Sequence, residues 1–216
     1  MKRLGPPPYT CLITRGEATS LNFDSAKTTI LETIRQASAD GVSMVQIREK
    51  SLPASMLVEL SSAAVEALAY SRTLVIVNDR ADVAIAAGAD GVHLPGTSLP
   101  VEAVRRIFGR ELEIGVSTHS LDEAEAAAGS GAEYIFFGPI FETPGKGAPV
   151  GLATLKLVSE RLGSFPVIAL GGVGESNFRD VIEMGASGIA AIRSLNERES
   201  RRLICGTLNA HHERRK

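Results

Sequence analysis

Leu74-Val75-Ile76-Val77-Asn78-Asp79-Arg80-Ala81-Asp82-Val83-Ala84-Ile85-Ala86-Ala87-Gly88-Ala89-Asp90-Gly91-Val92-His93-Leu94 carries one complete structural repeat within residues 74–94. Four apolar side chains in a row at 74–77, with no polar alternation, describe a strand buried on both faces. The run ends in Asn78-Asp79, an alanine-rich helical pattern follows near 81–88, and a second apolar run opens at 91–94. Gly88 stands where the helix must stop and the chain turn back, a place that favours a left-handed cap.

The same unit recurs in both directions. Gly131-Ala132-Glu133-Tyr134-Ile135 and Gly185-Ala186-Ser187-Gly188-Ile189 repeat the helix-closing, strand-opening pattern, and Asp40-Gly41-Val42 is a looser copy. Strands are predicted near 9–14, 44–47, 74–77, 91–94, 113–116, 134–137, 166–170 and 188–192. Helices are predicted near 25–39, 54–70, 81–88, 100–108, 120–130, 150–162, 175–185 and 197–212. Ser51-Leu52-Pro53, Ser98-Leu99-Pro100 and Ser120-Leu121-Asp122-Glu123 place a capping oxygen, an early proline or first-turn acids at helix starts.

Eight β-then-α units in 216 residues predict an α/β fold, a single-domain (β/α)8 TIM barrel. It is bracketed by an N-terminal extension at 1–8 and a charged C-terminal tail at 209–216 that holds His211 and His212. A doubly wound open sheet is the alternative, but no G-x-G-x-x-G follows the first strand. In a parallel barrel the carboxyl ends of all strands meet at one rim, so polar residues at the strand ends converge on one site.

The formal net charge of -2 leaves no footprint for nucleic acid. No stretch approaches the roughly 20 apolar residues of a membrane span, so no membrane partner is expected. Cys11 and Cys205 lack zinc or redox spacing and are expected to be small buried hydrophobes. Met1-Lys2-Arg3-Leu4 runs into Gly5-Pro6-Pro7-Pro8 without the apolar region of a secretory signal, and a cytoplasmic location is expected.

Several strand ends carry chemistry. Arg48 and Lys50, two apart after the second strand with Gln46 beneath them, form either a seat for a multiply charged anion or a surface pair shared with Glu49. Lys146 lies in the glycine-rich loop Thr143-Pro144-Gly145-Lys146-Gly147, where backbone donors can approach phosphate oxygens. Asp79 is either a ligand for Mg²⁺, which bridges carboxylate and phosphate oxygens, or a helix cap. Gly171-Gly172 and Arg193-Ser194 follow the last two strands, the phosphate position of many barrels, against the alternative of a tight turn and a solvated arginine. His93 and His119 reach the same rim without a partnered nucleophile or ligand spacing.

Val45-Gln46-Ile47-Arg48-Glu49-Lys50, Val77-Asn78-Asp79-Arg80, Ala89-Asp90-Gly91-Val92-His93-Leu94, Gly115-Val116-Ser117-Thr118-His119-Ser120, Phe137-Gly138-Pro139-Ile140-Phe141-Glu142-Thr143 and Ala169-Leu170-Gly171-Gly172-Val173 together resemble the thiamine phosphate synthase and thiazole tautomerase superfamily. The segments stand in family order from about residue 10 to residue 195. The resemblance implies a transferase that joins hydroxymethylpyrimidine diphosphate to thiazole phosphate, releasing diphosphate. By position, Gln46, Arg48, Lys50, Asn78, Ser117 and Lys146 would hold the pyrimidine diphosphate, with Glu49 in the same stretch, and Asp79 would ligate Mg²⁺. Of these, Arg48, Lys50, Asn78, Ser117 and Lys146 are the candidate catalytic residues, and Thr143, Gly172, Ile192 and Arg193 would hold the thiazole phosphate. The implied chemistry is dissociative: diphosphate leaves first and the thiazole nitrogen captures the pyrimidine-stabilised cation, which needs no general base.

Three positions depart from the synthase pattern. Ser98 stands where the second metal carboxylate is expected, Gly145 replaces a hydroxyl donor, and Arg193 replaces a serine. The Leu94–Ser98 segment is more like the tautomerase branch, yet that branch's acid/base histidine is Pro139 here. A tautomerase-like isomerase and a phosphate-binding barrel without turnover are therefore the alternatives to a synthase. The partners expected are the two small phosphorylated substrates, and a homo-oligomer is left open.

Overall fold

A computed structural model describes residues 1–213. Its strands are β1 Tyr9–Ile13, β2 Met44–Ile47, β3 Leu74–Asn78, β4 Gly91–Leu94, β5 Glu113–Thr118, β6 Tyr134–Phe137, β7 Val167–Leu170 and β8 Gly188–Ala191. The helices are α1 Phe23–Ala39, α2 Ala54–Ala67, α3 Ala81–Ala86, α4 Val101–Phe108, α5 Leu121–Gly129, α6 Gly151–Leu162, α7 Phe178–Glu183, α8 Arg193–Asn196 and α9 Arg198–Glu213. All eight strands pair in parallel, β1 closing on β8, so the chain is a single-domain (β/α)8 barrel.

Two apolar cores follow from the alternation of side chains along each strand. One faces the helices and includes Val45, Val75, Val92, Ile135 and Ile189 packed on Ile34, Leu60 and Leu155. The other fills the barrel, with Cys11, Met44, Ile76, Tyr134, Phe136 and Ile168. Parity explains why Leu74-Val75-Ile76-Val77 lacks polar positions: Val75 and Val77 serve the outer core while Leu74 and Ile76 serve the inner one.

The repeated glycines are structural. Gly41, Gly88, Gly131 and Gly185 have φ between 66° and 93°, in the left-handed region, each just beyond the end of a helix. Gly115 has a different cause: a Cβ there would lie 2.1 Å from Cζ of Tyr134, so only glycine leaves room for that ring.

Two expectations are corrected and one element is added. The helix predicted at 197–212 is α9, and an unpredicted short helix, α8, precedes it, the two separated where Glu197 takes an extended conformation (ψ 122°). The short α8 is held by tertiary bonds, with Asn196 Nδ2 donating to the Ile13 carbonyl at 2.9 Å and Arg201 Nη1 to the Leu195 carbonyl at 3.0 Å. The helix predicted at 175–185 begins only at Phe178, since Asn177 Oδ1 accepts from the Gly174 amide at 2.8 Å and holds a turn there. Of the predicted helix caps, Ser120 accepts from the Glu123 amide, whereas Pro53 and Pro100 occupy the cap positions expected of Ser51 and Ser98.

The N-terminal extension crosses the amino-terminal mouth of the barrel. Lys2 Nζ donates to the carbonyls of Leu68 and Thr73, its backbone N–H to Asp90, and Arg3 pairs with the buried Glu113 at 2.9 Å. Leu4 packs on the inner core and Tyr9 Oη donates to the Gly5 carbonyl. The charged tail assigned to 209–216 is helical to Glu213; residues 214–216, and the side chains of His211 and His212, lie outside the described residues.

Candidate active site

At the carboxyl end of the barrel, four adjacent strands carry polar side chains inward. Asn78 ends β3, while Gln46, His93 and Ser117 each lie one residue before the end of β2, β4 and β5. Gln46 Nε2 donates to Asn78 Oδ1 at 2.9 Å, Asn78 is the register partner of His93, and His93 Nε2 lies 2.8 Å from Ser117 Oγ. This row continues the inner face of the barrel above Met44 and Ile76, where parity forces inward any side chain two residues beyond a core position.

Two atoms of the row lack partners. Gln46 Oε1 and His93 Nδ1 are buried and make no hydrogen bond among the described residues. A buried polar atom left unpaired costs about 1–3 kcal/mol, so the row is an incomplete network that a polar ligand can finish. His93 is 2 % exposed, and its burial lowers the imidazole pKa to about 3, which keeps the ring neutral. The ring stacks on Phe136 with centroids 4.0 Å apart and on Tyr134 at 5.8 Å.

Lys50, Asn78 and Asp79 meet at one rim cleft, walled by Ile47, Leu52 and Leu57. Asp79 is exposed and has φ 66°, the only positive φ at a non-glycine residue among those described. No hydrogen bond or ion pair engages its carboxylate among the described residues, so its oxygens are free for a cation. The neighbouring Arg80 is turned away by a two-bond pair with Asp82, which raises the guanidinium pKa and lowers that of the Asp82 carboxyl.

Across the rim, a cleft of about 330 Å³ collects Thr143, Lys146, Gly172, Ile192 and Arg193. Lys146 is exposed in its loop, where its N–H bonds the Thr143 carbonyl, and the Thr143 hydroxyl donates to the Phe141 carbonyl. Gly172 has φ 67°, and a Cβ on it would press to 2.7 Å from Phe141 Cβ. Bare backbone is therefore required at this edge of the cleft. Arg193 opens α8 with its side chain exposed.

The remaining candidates are less central. Arg48 does not share a cleft with Lys50; its Nη1 lies beside Gly16 of the β1–α1 loop. Glu49 is buried, and its two oxygens accept the amides of Gly16 and Ala18 at 3.1 and 2.8 Å, so it ties that loop to β2 rather than pairing with Lys50. Ser98 sits half-buried in a turn closed on Pro95 and lines neither cleft. His119 turns its Nδ1 to the Gly138 carbonyl. Phe136 was not singled out by sequence, and His93 was placed at the rim without a role. Their signal lies in parity: each stands two residues beyond an inward-facing position of its strand, Gly91 and Tyr134.

Residues 11–195 match the TMP-TENI family, described as thiamine monophosphate synthase. The chain belongs to this family. It is 41% identical to a putative thiamine-phosphate synthase of Geobacter sulfurreducens over 77% of this chain and 79% of that one. It is 38% identical to the thiamine-phosphate synthase of Chlorobium luteolum over 89% of this chain and 87% of that one. Among solved structures, a thiamine phosphate pyrophosphorylase from Pyrococcus furiosus superposes with TM-score 0.80 at 31% identity, covering 95% of this chain and 96% of that one. A 3-hexulose-6-phosphate synthase, at 18% identity and TM-score 0.69, shares the fold alone. Family membership agrees with the open geometry of the rim, where exposed cations and bare backbone face two clefts.

Proposed function

We propose that this chain is a thiamine-phosphate synthase, which joins hydroxymethylpyrimidine diphosphate to thiazole phosphate and releases diphosphate. The carrying observation is the pair of clefts on one rim of a family barrel, one with Lys50, Asn78 and Asp79 and the other with Thr143, Lys146, Gly172 and Arg193. Two phosphorylated reactants need two anion seats, and the rim supplies a cation at each, with bare backbone beside the second.

In this reading Gln46 and Asn78 hold the pyrimidine, completing the unpaired Gln46 Oε1. Lys50 neutralises the diphosphate as the carbon–oxygen bond breaks and the electron pair leaves with it, and Arg48 and Lys146 add positive charge from the neighbouring loops. The thiazole nitrogen then donates its lone pair to the exposed carbon, while Gly172, Ile192 and Arg193 fix the thiazole phosphate. Positioning and charge neutralisation do the work, consistent with a site whose one buried histidine is neutral.

Mg²⁺ fits this donor set in a limited way. The described residues hold no group of three His, Cys, Asp or Glu side chains suited to a metal, but Asp79 offers a free, exposed carboxylate beside Lys50. A hard cation held by one carboxylate, water and substrate phosphates is ordinary Mg²⁺ chemistry, and it would add positive charge at the leaving diphosphate. A cytoplasmic location completes the proposal; no helix among the described residues is long and apolar enough to cross a membrane.

Ser98, a neutral residue in place of a carboxylate, favours one second reading: a barrel that binds the phosphates without turnover. A single-turnover assay with both substrates, with and without Mg²⁺, separates the two. Metal-dependent thiamine phosphate, detected by fluorescent oxidation, supports the synthase. Substrate binding by calorimetry without product supports the second reading.

A further inference from the structure

The His93 ring is held more firmly than a pocket lining requires. Phe136 stacks on it at 4.0 Å with an interplanar angle of 27°, Tyr134 lies beyond, and Gly115, the register partner of His93, lacks the Cβ that would displace Tyr134. The assembly fixes the ring plane, and in that plane Nε2 meets Ser117 Oγ at 2.8 Å while Nδ1 meets nothing among the described residues.

The two neutral tautomers have different consequences. With the proton on Nδ1, a buried N–H donor has no acceptor, and the Ser117 hydrogen is spent on Nε2. With the proton on Nε2, the ring donates to Ser117 Oγ, the unpaired Nδ1 is only an acceptor, and the serine hydrogen is free to turn elsewhere. Orphaned buried donors are the rarer of the two defects. Ser117 is only half-buried, so its freed hydrogen can face the mouth of the barrel.

We propose that His93 is a positioning residue that, as the Nε2–H tautomer, donates to Ser117 and directs the serine hydroxyl hydrogen at the substrate's diphosphate. This rests on the synthase reading above and adds to it how a lone serine is oriented. His93 does not exchange a proton with the reactants; it acts through Ser117.

The test has two readouts. In ¹⁵N-histidine-labelled wild-type protein, the His93 resonances are expected to show a protonated Nε2 and an unprotonated Nδ1; the reverse tautomer overturns the proposal. Kinetically, His93→Gln, which can place an amide N–H near the Nε2 position, keeps turnover within about threefold of wild type. His93→Phe, which fills the same stack without a donor, lowers kcat about tenfold or more. In a Ser117→Ala background, His93→Phe is expected to cause no further loss. Equal losses in both backgrounds overturn the proposal, because a purely structural role would not depend on the serine. Absence of turnover in the wild-type protein itself overturns the synthase reading and this role with it, whereas turnover with additive losses overturns the role alone.

Discussion

The backbone N–H of Asp79 donates to the carbonyl of His93 at 2.8 Å, so the residue after β3 is pinned to the inner histidine of β4 while its φ is held at 66°. A left-handed aspartate persists only where its surroundings enforce it, at a cost of about 1 kcal/mol or more. Here the strain carries a carboxylate to the rim.

Asp79→Gly should relieve that strain and remove the carboxylate together. Stability is expected to rise by about 1 kcal/mol, or roughly 2–4 °C in Tm for a chain of this size, while Mg²⁺-dependent turnover falls by about a hundredfold. Thermal unfolding and the synthase assay on one preparation check both directions.

Lys146→Ala removes an exposed cation from a loop that packs on little. We expect Tm within a degree of wild type and a roughly tenfold weaker Kd for inorganic diphosphate, with the difference shrinking at high salt. Calorimetry at two ionic strengths decides it.

Ser98→Asp restores a second carboxylate after β4. Titration of Mg²⁺ in the presence of diphosphate should show affinity raised about tenfold, because a carboxylate is a much stronger Mg²⁺ ligand than a hydroxyl. An unchanged titration would place Ser98 outside the metal's reach.

Burial of His93 links folding to pH. Its pKa lies at about 3 in the folded chain, below the ordinary value of 6.5, so the unfolded chain binds a proton that the folded one refuses. The folded state therefore holds its full advantage above pH 6.5 and loses it as pH falls toward 3. Urea unfolding at pH 7 and pH 5 should show wild type losing about 2 kcal/mol more than His93→Gln, from about 1.4 kcal/mol per pH unit below 6.5.

Asp40 holds Arg201, which is 1 % exposed, through bonds at 2.9 Å, and Arg201 in turn holds the Leu195 carbonyl of α8. Burial pushes the Asp40 carboxyl up, but hydrogen bonds from Arg202 and Arg201 bring its pKa below the usual carboxylate value. Asp40→Ala leaves a buried guanidinium unpaired, which costs about 3–5 kcal/mol. Loosening of α8 is expected to raise KM for the thiazole phosphate more than for the pyrimidine substrate, a difference that steady-state kinetics would reveal.

The strands were legible because each is buried on both faces and so appears as an unbroken apolar run. Every predicted strand overlaps its counterpart, and Met44–Ile47, Gly91–Leu94 and Tyr134–Phe137 coincide with theirs. Helix ends were less legible, since Gly174 and Asn177 form a turn that helical periodicity does not announce. The four residues of α8 have no periodicity, and bonds from Asn196 and Arg201 to distant carbonyls hold them. Rim residues could be picked out because strand ends carry them. The tie between His93 and Ser117 could not, because the residues are 24 apart and only barrel register brings them together. Glu49 looked like a rim anion in sequence, but the chain buries it under two amides.

Lys2, Arg3 and Leu4 cross the amino-terminal mouth of a barrel whose interior is already filled by Met44, Ile76 and Phe136, so the molecule is a cup rather than a tube. Whatever enters this cup also leaves by its lip. Gln46 and His93 lie buried within this cup while Gly172 and Arg193 lie exposed at its lip, so the two sides of the rim differ in depth. The floor of the cup is tied by residues far apart in sequence, Lys2 to Asp90 and Arg3 to Glu113, 88 and 110 positions away.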